Sequence, residues 1–187
     1  CGGILEYGIP DFRLSKNTIE NLIDKVQALG VKIKTGVELG KDIDIKTLKE
    51  QGYEYIFLGM GAEKQTTYTL TNEQVYGIFK SDEFLKAYNT GKQIKNLGTT
   101  VVIGGGNVAF DSARTALRMG AKEVYILYRR NEELMPARKI ELQEAIEDGV
   151  QMVFQTKVIG ATVANGKLNQ IECIKTKIEN EKAVDIK

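Results

Sequence analysis

The feature that most constrains this chain is a glycine-rich string, Gly104-Gly105-Gly106-Asn107-Val108-Ala109, placed between an apolar β-branched run and a helical pattern. Val101, Val102 and Ile103 before it read as a buried strand, and the residues from 107 to 119 read as a helix closed by Gly120. A second strand over 124–128 completes a β-α-β unit of about 30 residues. The string fits the G-x-G-x-x-[GA] pattern, which arises by chance often enough that its context must confirm it. Here the context does so. Gly104 permits a sharp turn, Gly106 lets backbone amides approach a pyrophosphate, and Ala109 lets the helix lie close to the sheet. The unpaired amides and positive dipole of the helix start then favour phosphate. Ala113 and Ala116 extend the small face.

Around this unit, Asn17 with Glu20 reads as a capping box for a helix bearing Ile19, Leu22, Ile23, Val26 and Leu29 and ending at Gly30. Val31 and Ile33 alternate with lysines, and Val37 and Leu39 continue a strand pattern before a short helix over 45–51. Tyr55, Ile56, Phe57 and Leu58 read as a buried parallel strand closed by Gly59-Met60-Gly61-Ala62. Residues 63–74 are polar and aperiodic, as in a connection between domain pieces. Ser81 is placed to cap a helix carrying Phe84, Leu85 and Tyr88, and Pro136 fits the first turn of a helix running to Asp148. A strand over 150–154 follows, and Asn165-Gly166 signals a hairpin between strands over 158–163 and 168–174. The fold class is α/β: a Rossmann-like parallel sheet flanked by helices, with an antiparallel meander after it.

Composition narrows the function. The 187 residues are 42% hydrophobic and 27% charged, with 26 Lys and Arg against 25 Asp and Glu, a formal charge of +1. That balance supplies no global basic field for nucleic acid or an anionic membrane, so neither is expected as a partner. No apolar run approaches the ~20 residues that span a bilayer. The start, Cys1-Gly2-Gly3, lacks a signal-peptide pattern, and a cytoplasmic enzyme is expected. With two cysteines, Cys1 and Cys173, and no histidine, the usual zinc sets, Ser-His-Asp chemistry and dithiol motifs are excluded, and no metal site is expected. Cys173 reads as a small core residue.

Chemistry therefore falls to a cofactor. An NAD-selective site usually ends the second strand with Asp or Glu, to accept from the ribose hydroxyls. This one ends in Tyr128-Arg129-Arg130, which favours a 2'-phosphorylated nucleotide, with Arg138 in the next helix able to join. Strand alternation sends the two neighbours to opposite faces, which leaves open which of them contacts the phosphate, and Arg129 is favoured as the inner one. The competing reading is solvated arginines paired with Glu132 or Glu133. Asp111 and Glu144 read as helix-surface or capping carboxylates, and no catalytic residue is nominated, because hydride transfer needs no protein acid.

Longer strings carry a resemblance. The segment Gly2-Gly3-Ile4-Leu5-Glu6-Tyr7-Gly8-Ile9-Pro10-Asp11-Phe12-Arg13-Leu14 resembles the stretch after the FAD-binding turn in the small subunit of NADPH-dependent glutamate synthase and its relatives. The string from Val102 to Ala116, and Tyr128-Arg129-Arg130 followed by Met135-Pro136-Ala137-Arg138, are similar to that family's NADPH site. The resemblance runs over nearly the whole chain. It implies that residues 1–72 are part of an FAD-binding domain, with a flavin near the 7–13 and 59–62 segments. Residues 73–187 would be the NAD(P)-binding domain, short of its last strand. In the intact protein it implies hydride transfer from NADPH to FAD, iron-sulfur clusters, and a large glutamate synthase subunit or other electron-accepting subunit as partner. Relatives of the ferredoxin:NADP oxidoreductase and dihydropyrimidine dehydrogenase type share the pattern. The resemblance implies further that this fragment alone is inactive and holds no tightly bound FAD, since the FAD fingerprint would precede Gly2. A non-catalytic nucleotide-binding module and a scaffold with an empty turn are the alternatives from other classes.

Overall fold

A computed structural model describes residues 1–61, 70 and 75–186, so the expected connection over 63–74 and the domain boundary at 72/73 lie largely outside the described residues. The described helices are α1 (Ile4–Tyr7), α2 (Lys16–Ala28), α3 (Ile45–Glu50), α4 (Ser81–Asn89), α5 (Asn107–Arg118) and α6 (Lys139–Glu147). The strands are β1 (Thr99–Ile103), β2 (Glu123–Leu127), β3 (Gln151–Val153), β4 (Thr156–Ala164), β5 (Lys167–Glu179) and β6 (Lys182–Asp185).

Strands β1, β2 and β3 form a parallel sheet in that order, and β4, β5 and β6 an antiparallel one, so the expected mixed α/β architecture is present. Helix α5 is the pivot of the core. Its residues Phe110, Ala113 and Ala116 are fully buried, and they pack with Phe84 of α4, Val124 and Ile126 of β2, Leu142 and Ala145 of α6, and Val150. Small residues at 113 and 116 bring helix and sheet backbones close, and Phe110 supplies the apolar area that makes the approach favourable. The hairpin forms at Asn165-Gly166, where φ values of 53° and 72° match the left-handed pair that a two-residue turn requires.

The meander is fastened to the end of β2. The Tyr128 amide donates to Val153 O at 3.0 Å, and Tyr128 O accepts from the Thr156 amide at 3.1 Å. The Gln155 amide donates to Arg130 O at 3.1 Å. The buried Thr176 hydroxyl donates to Arg129 O at 2.6 Å. These bonds hold the backbone of residues 128–130 from both sides.

Several local expectations are corrected. Helix α2 begins at Lys16 with Ser15 before it and no side-chain cap, so Asn17 and Glu20 lie inside the helix and form no capping box. Ser81 is the first residue of α4 rather than its cap. The 31–39 and 55–58 stretches form no strand: Tyr55 is 90% exposed and Phe57 94%. Alternation at 31–39 and an unbroken apolar run at 55–58 both suit strands, but a strand also needs a hydrogen-bonded neighbour, and none of the described strands lies alongside. Cys173 is exposed on β5, because this strand presents one face to solvent.

Candidate functional site

The turn from β1 into α5 has a different constraint at each glycine. Gly104 has φ of +142°, a conformation that side chains rarely adopt, and its amide donates to Leu127 O at 3.1 Å. A Cβ on Gly104 would meet Ala109 Cβ at 3.5 Å, so the small residue closing the pattern is what admits the turn against the helix. Gly105 has a role that sequence reasoning missed. A Cβ there would lie 2.6 Å from the ring of Tyr128, so the glycine makes room for an aromatic side chain at the end of β2. Gly106 stands at the start of α5 with φ −94° and ψ 169°, and a Cβ on it would meet nothing within 4 Å. The amides of Gly106, Asn107 and Val108 donate to no carbonyl among the described residues. Open space, free amides and the positive end of a helix dipole thus coincide at one place, an arrangement suited to a phosphate.

Gly105→Ala isolates the packing constraint. Its methyl would force the Tyr128 ring to move, and Tyr128 is 7% exposed with its hydroxyl donating to Leu134 O at 2.8 Å. We expect a loss of about 1–3 kcal/mol in denaturant unfolding. An unchanged midpoint would show that Tyr128 shifts freely.

The 131–138 segment folds back over this turn. The Ala137 amide donates to Gly105 O at 3.1 Å and the Arg138 amide to Asn107 Oδ1 at 3.4 Å. These bonds draw the chain away from helical geometry, so Pro136 does not open α6 as expected. The helix starts at Lys139, and Arg138 occupies the N-cap position, beside the glycine turn.

The arginines at the end of β2 differ in surroundings. Arg129 is exposed, while Arg130 is half-buried and its Nε is buried without a hydrogen-bond partner among the described residues. Burial therefore runs opposite to the expectation that Arg129 is the inner of the two. Neither is paired with Glu132 or Glu133 among the described residues, and Glu133 accepts instead from Asn131 at 3.3 Å. Arg138 donates to Glu141 and stays largely exposed.

A buried ionic cluster behind the turn was not foreseen. Asp111 and Glu141 are 6% and 3% exposed, and Arg13 from the amino-terminal segment donates to both, at 2.6 Å to Asp111. Asp111 is thus a buried partner of Arg13 rather than a surface carboxylate. Burial pushes its carboxyl up from the usual range, the Arg13 guanidinium pulls it down, and the Glu141 charge adds to the rise. Alongside, Arg114 donates to Asp148 at 2.6 Å and to Glu144 at 2.5 Å, and Arg118 to Asp148 at 2.8 Å. Burial raises Asp148, but the two arginines outweigh it and hold the carboxyl below its ordinary value.

The amino-terminal segment is seated on these groups. The Phe12 ring lies 4.0 Å from the Arg118 guanidinium and 4.9 Å from that of Arg114, and Pro10 is fully buried. Asn89 donates to Tyr7 O at 2.8 Å, and Tyr88 to Asp11 at 3.1 Å. Lys16 donates to the carbonyls of Glu6 and Ile9. No short-range pattern in residues 7–13 signals this docking, because its partners lie far along the chain.

The sheet, the turn and α5 define an α/β domain of the dinucleotide-binding type. The chain belongs to the pyridine nucleotide-disulphide oxidoreductase family, matched over residues 8–187. It is 35% identical over 191 residues to the glutamate synthase [NADPH] small chain of Escherichia coli (strain K12), covering 95% of this chain and 40% of that one. It is 33% identical over 181 residues to the NADP(+)-dependent formate dehydrogenase subunit beta of Moorella thermoacetica, covering 95% of this chain and 26% of that one. The chain thus spans less than half the length of these relatives, which are themselves named as a small chain and a beta subunit. Its fold is similar to that of FprA of Mycobacterium tuberculosis, solved in complex with NADPH. The TM-score is 0.73 at 17% identity, over 98% of this chain and 57% of that one. No described helix is long and apolar enough to cross a membrane.

Proposed function

We propose that this chain is the NADP(H)-binding portion of a flavin-dependent oxidoreductase of the glutamate synthase small-subunit type. The observation that carries the reading is the open cradle at Gly106, faced by the free amides of Gly106, Asn107 and Val108. Gly104, Gly105 and Ala109 shape the turn. Arg129, Arg130 and Arg138 are the donors for a 2'-phosphate, and Arg130, with a buried Nε that has no hydrogen-bond partner among the described residues, gains most from an anion.

When bound, the nicotinamide supplies the hydride, so the protein's task is to hold and orient it and no catalytic residue is assigned. In the intact protein FAD would be the hydride acceptor and iron-sulfur clusters would serve onward electron transfer to an electron-accepting subunit in the cytoplasm, while the glycine turn and the arginines bind and orient the nucleotide. The names of the relatives, an NADPH-dependent synthase small chain and an NADP-dependent dehydrogenase beta subunit, support NADP(H) and a partner subunit.

The test is calorimetric titration of NADP+ and NAD+ at fixed salt. Loss of one arginine bond to the phosphate should weaken NADP+ by about ten-fold to a hundred-fold and leave NAD+ nearly unchanged. Arg130→Ala should lose more than Arg129→Ala, because the half-buried side chain is better ordered. Equal losses for both nucleotides in the double variant, or none, would remove the assignment of NADP(H).

A further inference from the structure

We infer that Glu141 is a positioning residue, which orders the guanidinium of Arg138, a residue whose backbone is bonded to the glycine turn. The inference rests on the reading of Arg138 as a contact for the nucleotide's 2'-phosphate. It goes beyond that reading by naming what orders the contact.

Glu141 lies in the first turn of α6, 3% exposed. One of its carboxylate oxygens, Oε1, accepts both from Nη2 of Arg138 and from Nη2 of Arg13. Such a group is not the partner of a surface ion pair, whose charge would be solvated wherever its arginine pointed. It is a fixed anchor inside the protein, and Arg13, itself held by Asp111 at 2.6 Å, prevents it from moving towards solvent. The Arg138 side chain is 65% exposed, so Glu141 constrains an arm that would otherwise sample many rotamers. The Arg138 backbone is fixed independently, through its amide to Asn107 Oδ1 at 3.4 Å and through the Ala137 amide to Gly105 O at 3.1 Å. With the backbone held at the turn and one end of the guanidinium held at Glu141, the remaining donors of this largely exposed side chain are ordered before any anion arrives. A ligand meeting an ordered donor avoids the cost of immobilising it.

A double-mutant cycle on the full chain tests this, with Glu141→Gln, Arg138→Ala and both together, titrated with NADP+ and NAD+. Gln keeps the volume and an oxygen acceptor and removes the charge. Glu141→Gln should weaken NADP+ by about two- to ten-fold, the cost of ordering one long side chain. It should leave NAD+ unchanged, and in the Arg138→Ala background it should add no further loss. The same loss with and without Arg138, or equal losses for NADP+ and NAD+, would mean that Glu141 only supports the fold, and the inference would fail while the site stood. A wild type that binds neither nucleotide would overturn both. Should Glu141→Gln not fold, the wild type decides by nitrogen NMR: restricted rotation of the free Arg138 guanidinium supports the inference, and fast averaging overturns it.

Discussion

Gly106→Val should abolish dinucleotide binding and leave the folded state as stable as before. The two halves of that expectation have separate grounds. At φ −94° and ψ 169° the backbone of residue 106 is extended, a conformation that a β-branched residue adopts without strain. Chain neighbours aside, the Cβ would meet none of the described residues within 4 Å, so the stability read from thermal unfolding should change by less than about 0.5 kcal/mol. The side chain would take up open space at the start of α5, where the amides of Asn107 and Val108 donate to no carbonyl among the described residues. A phosphate displaced from these loses at least two bonds to a charged group, each worth about 1.5–3 kcal/mol, so NADP+ affinity should fall by about a hundred-fold or more. Calorimetry and circular dichroism on the same sample read both halves. Wild-type affinity in a folded Gly106→Val protein would place the nucleotide elsewhere, whereas unfolding would show the turn to be more crowded than its geometry states. Gly105→Ala should give the opposite pattern, with stability lost through Tyr128.

Arg13→Met should be strongly destabilising, on the scale of truncating a large core side chain. It leaves Asp111 without its guanidinium and Glu141 with only the exposed Arg138, both carboxylates remaining buried. Removing one partner of a buried ion pair costs about 3–5 kcal/mol, and Arg138 should hold the loss near the lower end. The exposed i,i+4 pair of Lys46 and Glu50 is the control, since Lys46→Ala should cost no more than about 0.5 kcal/mol. The pH dependence has a definite sign. Burial already raises the folded-state value for Asp111, and loss of Arg13 removes the charge that offsets it. A carboxyl whose folded value is raised contributes stability that is fully present below its unfolded value, about pH 4, and is lost as pH rises through the folded value. The deficit of Arg13→Met relative to wild type should therefore grow from about pH 4 upwards and be smallest in acid. Urea titrations at a series of pH values read this directly. A deficit independent of pH would mean that the cluster acts through packing of the Arg13 stem rather than through charge.

How much of this was legible beforehand divides by sequence distance. The turn at Gly104 to Ala109, helix α5, its two flanking strands and the Asn165-Gly166 hairpin follow from short-range rules. Glycine conformation, apolar periodicity and turn chemistry act over a few residues, and each has one good local solution. The same rules misplaced the strands at 31–39 and 55–58, because an alternating or unbroken apolar pattern describes the strand and not the neighbour that must supply its hydrogen bonds. They also placed Cys173 in the core, although which face of β5 is covered depends on what packs against it.

The sequence by itself determined a dinucleotide-type turn followed by arginines, since those properties are written in consecutive residues. Only the tertiary structure decided how the turn is braced. Gly105 yields to Tyr128, Thr176 holds the carbonyl of Arg129, and Arg13 reaches Asp111 and Glu141 across separations of 98 and 128 residues. An arginine in a polar segment and a carboxylate in a helix look alike whether solvated or buried. Their pairing exists only once packing excludes water and an unpaired charge becomes too costly to leave.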